Sequence, residues 1–384
     1  MKITNLKLFH VQPRWLFLKV ETDAGISGWG EPVVEGRART VETAVQELRP
    51  LLIGADPGRI EHLWQQMYRG TFYRGGPVLL SAISGVEQAL WDIKGKRLNV
   101  PVYELLGGAC RDRVRMYGHL KPAATAADFP LSAMLEITDR RLSAGFTVMK
   151  YSIIPPIRPI DSLETVDRVV ERFAAVRERV GRKVDVAIDF HGRVSPAMAP
   201  RLLDALAPYY PLFVEEPVLP ENVEEMVRVA RSTSIPIAAG ERLFTRWGYR
   251  ELIEKQAVAV VQPDLCHCGG IFEARKIAAM AEVYHMQTAP HNPLGPISLA
   301  ACLQLDACIP NLLAQEHPGM PDRRDLGEGI LKTPFAIGPD GCIPIPTGPG
   351  LGIEVNEDAL AALAYDGGWD PPRLFFEDGS LADW

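Results

Sequence analysis

Asp189, Glu215 and Glu241 stand 26 residues apart, and each closes a short apolar run: Val186-Ala187-Ile188, Leu212-Phe213-Val214 and Ile237-Ala238-Ala239, the last with Gly240 interposed. That spacing is close to one strand-plus-helix unit, so the three acids fall at successive strand ends and point into one mouth. Without a cation they repel, and at least one must hold its proton. A hard divalent ion removes the conflict, and ligation by oxygen alone favours Mg²⁺ over zinc or copper. A single such acid is an ordinary surface carboxylate; three at successive strand ends are a candidate metal site.

The following strand ends carry Asp264, His291 and Glu316. An Asp beside a His fixes the imidazole tautomer and raises its basicity, which suits His291 as a general base with Asp264 behind it. His191 lies two residues past Asp189, on the same side of an extended segment, and is either a second acid/base group or a donor beside the metal. Glu216 points the other way from Glu215 and reads as structural. Lys150 ends the second strand and faces either the mouth or the barrel wall. Cys266-His267-Cys268 invites a zinc reading, but no second ligand pair follows, so buried thiols explain it better. His267 and His285 read as ordinary loop or helix residues.

The elements that must position these groups form two patterns. Up to about residue 115, strand-like alternation (Trp15–Thr22, a turn at Asp23-Ala24-Gly25, then Gly28–Glu31) precedes helices expected at Thr40–Leu48, stopped by Pro50, at Ile60–Tyr68 and at Leu79–Lys96. Strands followed by helices make an α+β unit. From Val114 onward, short apolar strands alternate with helices. The strands are expected at Val114–Tyr117, Thr147–Tyr151, Asp185–Ile188, Leu212–Val214, Ile237–Ala239, Val258–Gln262, Gln287–Ala289 and Leu312–Gln315, with helices such as Glu164–Val180, Pro196–Ala207 and Phe272–Tyr284 between them. About eight such units close into a barrel. The expected fold is therefore α/β: a TIM-type (β/α)7β barrel over 116–326, with an α+β capping domain from residues 1–115. A Gly/Pro-rich C-terminal segment, 327–384, runs back across the cap.

The chain has 384 residues, 47% hydrophobic and 23% charged, with a net charge of −7. These proportions suit a large buried core, and the charge argues against nucleic acid. No apolar run is long enough to span a bilayer and no signal-like region opens the sequence, so no membrane role and a cytoplasmic location are expected. Six scattered cysteines fit reduced thiols.

Asp189-Phe190-His191-Gly192-Arg193, Phe213-Val214-Glu215-Glu216-Pro217, Ala239-Gly240-Glu241-Arg242, Gln262-Pro263-Asp264 and Ala289-Pro290-His291-Asn292-Pro293-Leu294-Gly295-Pro296 together resemble the enolase superfamily, in its mandelate-racemase-like branch. Gly28-Trp29-Gly30-Glu31-Pro32, Phe72-Tyr73-Arg74-Gly75-Gly76-Pro77, Ala89-Leu90-Trp91-Asp92 and Ala382-Asp383-Trp384 look like the galactonate dehydratases of that branch. The likeness covers nearly the whole chain. It implies Asp189, Glu215 and Glu241 as Mg²⁺ ligands and His291 as the base at C2, partnered by Asp264. It further implies His191 as the acid for the departing 3-hydroxyl and Glu316 as a protonated donor to the enediolate. The implied product is a 2-keto-3-deoxy acid, the substrate a small sugar acid, the assembly a homo-oligomer. Racemases of the branch carry a second lysine where this chain has Ser152, which favours elimination. After Lys150, Tyr151-Ser152 and Pro155-Pro156-Ile157-Arg158-Pro159 depart from the galactonate dehydratase pattern, as does 317–333, and these departures leave the substrate open. Alternatives are a dehydratase of another aldonate such as gluconate, an epimerase, and a non-catalytic sugar-acid binder on the same scaffold, which predicts a missing ligand or base. A metal hydrolase would want paired metals and several His ligands. Cap residues Trp15–Glu35 and Tyr68–Pro77 are expected to cover substrate, with Tyr73 and Arg74 as possible contacts.

Overall fold

Alternating apolar residues build the first sheet, an antiparallel meander of β1 (Ile3–Val11), β2 (Trp15–Thr22) and β3 (Ser27–Gly30). The computed structural model describes residues 1–120, 129–151 and 154–384. Helices α1 (Ala38–Leu52), α2 (Ile60–Arg69), α3 (Pro77–Leu98) and α4 (Val102–Leu105) follow. Contrary to expectation, α1 runs through Pro50 and ends where the Ile53 N–H meets the Arg49 carbonyl. Proline removes a donor but its fixed φ is helical, so a final turn absorbs it. α3 opens on Pro77 and ends at Asn99 in the left-handed region (φ 55°). Its backbone is in direct contact with β3. A Cβ on Gly30 would stand 1.9 Å from the Gly85 carbonyl oxygen, and one on Gly28 2.1 Å from that of Ala89. Gly-Trp-Gly is the sequence that permits this approach.

Among the described residues, eight parallel strands follow, with seven helices between them. In order they are β4 (Arg113–His119), α5 (Leu131–Ser143), β5 (Val148–Tyr151), α6 (Leu163–Val180), β6 (Asp185–Asp189), α7 (Ala199–Leu206), β7 (Val214–Glu215) and α8 (Val223–Arg231). Next come β8 (Ile237–Ala239), α9 (Thr245–Glu254), β9 (Val260–Val261), α10 (Ile271–Val283), β10 (Gln287–Thr288), α11 (Pro296–Cys308) and β11 (Gln315–His317). Neighbours pair in sequence order and β11 pairs with β4. The ring closes where the Thr288 N–H donates to the Asn311 carbonyl at 2.7 Å and the Leu313 N–H to that of Thr288 at 2.8 Å. The fold is thus the expected (β/α)7β barrel with an α+β cap. Several ladders are shorter than the apolar runs suggested, because tilted strands in a closed sheet share few paired residues.

One residue from each strand or its approach packs inside the barrel: Tyr117, Val148, Ala187, Phe213, Ala238, Val260, Ala289 and Ala314. Two residues further on, the two-residue period places His119, Lys150, Asp189, Glu215, Gln262, His291 and Glu316 in the next layer. β8 breaks the pattern. Gly240, at φ 148°, has no room for a Cβ, which would lie 2.9 Å from the Gln262 nitrogen. The turn it makes lets Glu241, one residue late, enter the same mouth.

After the barrel, β12 (Cys342–Pro344) pairs antiparallel with β4, and the chain returns over the cap. Gly350 bridges Pro101, α12 (Glu357–Ala362) follows, and Ala364 bridges Val11. A last hairpin pairs β13 (Leu374–Phe375) with β14 (Leu381–Ala382). Among the described residues no helix is long and apolar enough to cross a membrane.

Helix N-termini leave unmet N–H donors, and two cap carboxylates fill them. Glu87 on α3 accepts from the Ile271 and Phe272 N–H groups of α10 at 2.8 and 2.9 Å, and from the Trp91 indole at 2.6 Å. Glu31 accepts from the Gly295 and Ser298 N–H groups of α11 at 2.8 and 2.9 Å. Between them, Gln88 accepts from the Glu31 N–H and donates to the Leu265 carbonyl, both at 2.9 Å. Burial pushes the Glu87 carboxyl up to about 8, against the pull of the Phe272, Ile271 and Trp91 donors. Its folded value lies above the ordinary 4.5, so this group stabilises fully below that value and loses its contribution as pH rises through about 8. Glu87→Gln can accept at one end only and is expected to cost about 1–3 kcal/mol. Thermal unfolding should also show a flatter loss of stability between pH 5 and 8 in the variant than in the wild type.

Candidate active site

Lys150, at the end of β5, is buried, and its Nζ lies 2.6 Å from Glu316, 2.8 Å from Glu215 and 3.7 Å from Asp189. The two possibilities for its direction are thereby resolved: the ammonium faces the mouth and bridges carboxylates from three other strands. Gln262 donates to the other oxygen of Glu215 at 2.7 Å. Burial, only partly offset by Lys150, pushes Glu215 up to about 7, and the fields of Asp189 and Glu316 add to it. Asp189 resists its own burial and stays below the usual range because of Lys150 and His191. Glu241 is driven well above the usual range by burial together with Glu216, Glu215 and Asp189, although His291 opposes them.

His291 Nδ1 is 2.8 Å from Asp264 Oδ2, and its Nε2 faces the mouth, 3.4 Å from Glu241 and 3.9 Å from Glu316. Asp264 also accepts from the Cys266 N–H at 2.7 Å and lies 3.6 Å from His267 Nε2. Burial alone would lower His291, but Glu241, Glu316 and Asp264 hold it well above the usual imidazole range. His191 follows β6 with φ 55°; its N–H donates to Asp189 Oδ1 at 2.7 Å, and its carbonyl accepts from Arg242 at 2.9 Å. Arg242 also grips Glu216 at 2.9–3.0 Å, so Glu216 is a wall residue.

Glu316 departs from expectation in its charge. Burial favours its proton, yet Lys150, His291 and His119 hold it well below the usual carboxylate range. His119 and Gln262 are the residues that sequence reasoning missed. His119 ends β4 and hydrogen-bonds Glu316, while the Asn292 N–H donates to the other oxygen of Glu316 at 2.7 Å. Both sit two residues past a barrel-interior position, and that register was the signal available. His267 is bonded to Ser81 of α3 at 2.8 Å, a cap contact. Cys266 and Cys268 are buried free thiols. Tyr73 is 83% exposed, and among the described residues no hydrogen bond or ion pair joins its side chain or that of Arg74 to the mouth. Ser152 lies outside the described residues.

A closed parallel barrel with carboxylates and imidazoles at the C-terminal ends of its strands, roofed by a separate α+β cap, has the plan of a barrel enzyme with one polar mouth. The chain belongs to the enolase superfamily: residues 9–107 match the mandelate racemase / muconate lactonizing enzyme N-terminal domain, and residues 133–359 the family described as enolase C-terminal domain-like. It is 50% identical over 388 residues to a D-galactonate dehydratase of Xanthomonas campestris pv. campestris (strain B100), and 50% identical over 390 residues to one of Variovorax paradoxus (strain S110), with 100% of each chain covered in both cases. Among solved structures, a mandelate racemase/muconate lactonizing enzyme from Sulfitobacter sp. aligns at TM-score 0.88 with 35% identity, over 97% of this chain and 99% of that one. One from Jannaschia sp. CCS1 aligns at 0.88 with 32% identity, over 96% and 99%.

The donor set suits a hard divalent cation. Asp189, Glu215 and Glu241 offer oxygen alone, and burial together with their neighbours' negative charge holds Glu215 and Glu241 towards their protons, a conflict that a cation among them would relieve. Among the described residues no three His, Cys, Asp or Glu side chains already form a ready-made ligand shell; the Lys150 ammonium stands beside two of the three acids instead. Replacing Lys150 with Met strands buried carboxylates and is expected to cost about 3–5 kcal/mol of stability. The loss should shrink when excess Mg²⁺ is present during thermal unfolding. An equal loss with and without Mg²⁺ would argue against a cation site at these acids.

Proposed function

We propose that this protein is a hydro-lyase that dehydrates a sugar acid, D-galactonate first among the candidates, to a 2-keto-3-deoxy acid. The observation that carries the reading is an acidic mouth with a histidine on each of two strand ends: His291, with Asp264 behind its ring, and His191, whose backbone N–H donates to Asp189. Full-length identity of 50% to D-galactonate dehydratases supports the same chemistry.

Hydrogen on the carbon beside a carboxylate is very weakly acidic, so the site must stabilise the carbanion as an enediolate. Enolase-superfamily sites do this with a Lys or His base and Mg²⁺; here the ion, held by Asp189, Glu215 and Glu241, would supply positive charge to the substrate carboxylate. His291 takes the C2 proton at Nε2, while Asp264 keeps Nδ1 protonated and the ring oriented. Glu316 is the expected donor to the enediolate oxygen; ionised as it stands beside Lys150, His291 and His119, it must first take up a proton to fill that role. His191 gives its proton to the 3-hydroxyl. The C3–O bond then breaks, the electron pair left at C2 forms the C2=C3 bond, and water departs. The enol so formed tautomerises to the keto acid.

A second reading keeps this chemistry and changes the aldonate, to gluconate for example. It is favoured by the loop from Pro155 to Pro159, which differs from the galactonate dehydratase pattern. The non-catalytic alternative is disfavoured because every expected ligand and base position is occupied by a competent residue. A screen of an aldonate library with added Mg²⁺ is expected to yield a 2-keto-3-deoxy product from at least one member. His291→Asn is expected to abolish both dehydration and C2 hydrogen exchange in deuterated water, and His191→Asn to abolish dehydration alone. Full dehydration by either variant removes that residue from its role. Chelation is expected to stop turnover, and Mg²⁺ to restore it; activity that survives exhaustive chelation would remove the metal from this reading.

A further inference from the structure

His191 is seated differently from His291. Its backbone is pinned on both sides, at Asp189 and at Arg242, and its ring meets the indole of Trp384 edge-on, with centroids 5.6 Å apart at 65°. Trp384 packs on Trp369 at 6.0 Å, and the Arg14 guanidinium lies 4.7 Å over the Trp369 ring. Arg14, between β1 and β2, is tied to Glu35 at 2.5 Å and donates to the Pro293 carbonyl at 3.2 Å, two residues past His291. A row of contacts therefore runs from the backbone of the His291 loop through Arg14, Trp369 and Trp384 to the His191 ring.

The hairpin that delivers Trp384 is latched from the barrel side. Arg158 donates to Asp378 in the hairpin turn at 3.0 Å, and its guanidinium covers the Phe376 ring at 4.6 Å. Arg158 belongs to the loop after β5. The barrel thus holds the hairpin at one flank, and the cap holds Trp369 at the other.

We propose that Trp384 is a positioning residue for the elimination step, its indole fixing the tilt of the His191 ring on the side where the hydroxyl leaves. The proposal rests on the assignment of His191 as the acid. An acid that must reach a departing oxygen loses rate steeply when misplaced, by as much as about a hundredfold for an ångström. Proton removal at C2 belongs to His291 and does not depend on this contact. Loss of the indole should therefore change how the intermediate partitions, returning it to substrate with solvent deuterium rather than expelling water.

The test uses the full chain with Mg²⁺ and the aldonate that the wild type dehydrates. Dehydration and C2 deuterium exchange are measured for Trp384→Ala, Trp384→Phe and His191→Asn, with thermal unfolding alongside. Trp384→Ala is expected to lose dehydration by roughly ten- to a hundredfold, with total proton abstraction (exchange plus dehydration) held within about twofold of wild type. Trp384→Phe, which keeps an aromatic edge against the imidazole, is expected to recover most of the dehydration. Dehydration by Trp384→Ala within about twofold of wild type would overturn the proposal. So would a parallel fall of exchange and dehydration in both Trp384 variants, which marks a purely structural role. Unimpaired dehydration by His191→Asn is a different failure: it removes the acid assignment itself, whatever the Trp384 variants do.

Discussion

Asp189, Glu215, Glu241, Asp264 and Glu316 are gathered at one end of the barrel, and the cations placed among them are Lys150 and the imidazoles. Buried like charges cannot all ionise, and the strain is divided unevenly. Glu316, faced by Lys150, His291 and His119, and Asp189, faced by Lys150 and His191, keep their charge, while burial pushes Glu215 (despite Lys150 at 2.8 Å) and Glu241 towards their protons. Lys150 is what allows so many acids to share a mouth in the folded chain, because one ammonium contacts carboxylates from three other strands. The same field keeps His291 protonated, and a protonated imidazole cannot act as a base. Added positive charge at Glu241 would relieve both conflicts together. Cation binding and readiness of the proposed base are thus one electrostatic problem.

That arrangement can persist only if the strand ends hold still, and the cap contributes to this directly. Glu87 and Glu31 fill the open donors of α10 and α11, the two helices whose preceding loops carry Asp264 and His291. Gln88, next to Glu87 on α3, accepts from the Glu31 backbone N–H and also holds Leu265, beside Asp264. The polar residues of α3, which a sequence reader would assign to a solvated face, are buried at the joint. A cap fixed this way is coupled to the orientation of His291–Asp264, so damage at α3 should be felt at the imidazole.

Much of the site was legible in the chain because barrel strands repeat at near-constant spacing. Acids after apolar runs therefore declare themselves at Asp189, Glu215 and Glu241. The ends of the following strands carried Asp264, His291 and Glu316 as well, and the resemblance to the enolase superfamily implied a role for each. Three things were hidden, for different reasons. The direction of Lys150 depends on carboxylates 39 to 166 residues away, which no local pattern encodes. His119 lies at the end of a strand whose partner, β11, is the last to join the barrel, so their meeting exists only after closure. The ionised state of Glu316 follows from the sum of three cations and could not be read from its own apolar surroundings. The helix through Pro50 is a smaller instance: close to the helix end the proline forfeits one N–H bond while its φ stays helical, and the turn closes after it.

The two imidazoles are held by unlike means, and the proposed reaction asks unlike things of them. A base at C2 must present one nitrogen at a fixed place and keep the other protonated, which a carboxylate at 2.8 Å behind the ring provides. An acid for a leaving hydroxyl must give its proton away and must not be stabilised so strongly that it keeps it. An indole edge can orient such a ring without adding a negative charge behind it. His191 does feel Asp189, but through its backbone N–H and through space, and cation binding at Asp189 would weaken that hold. On the proposed assignment, the base is the ring with the Asp264 carboxylate behind Nδ1, and the acid is the ring that meets the Trp384 indole edge-on.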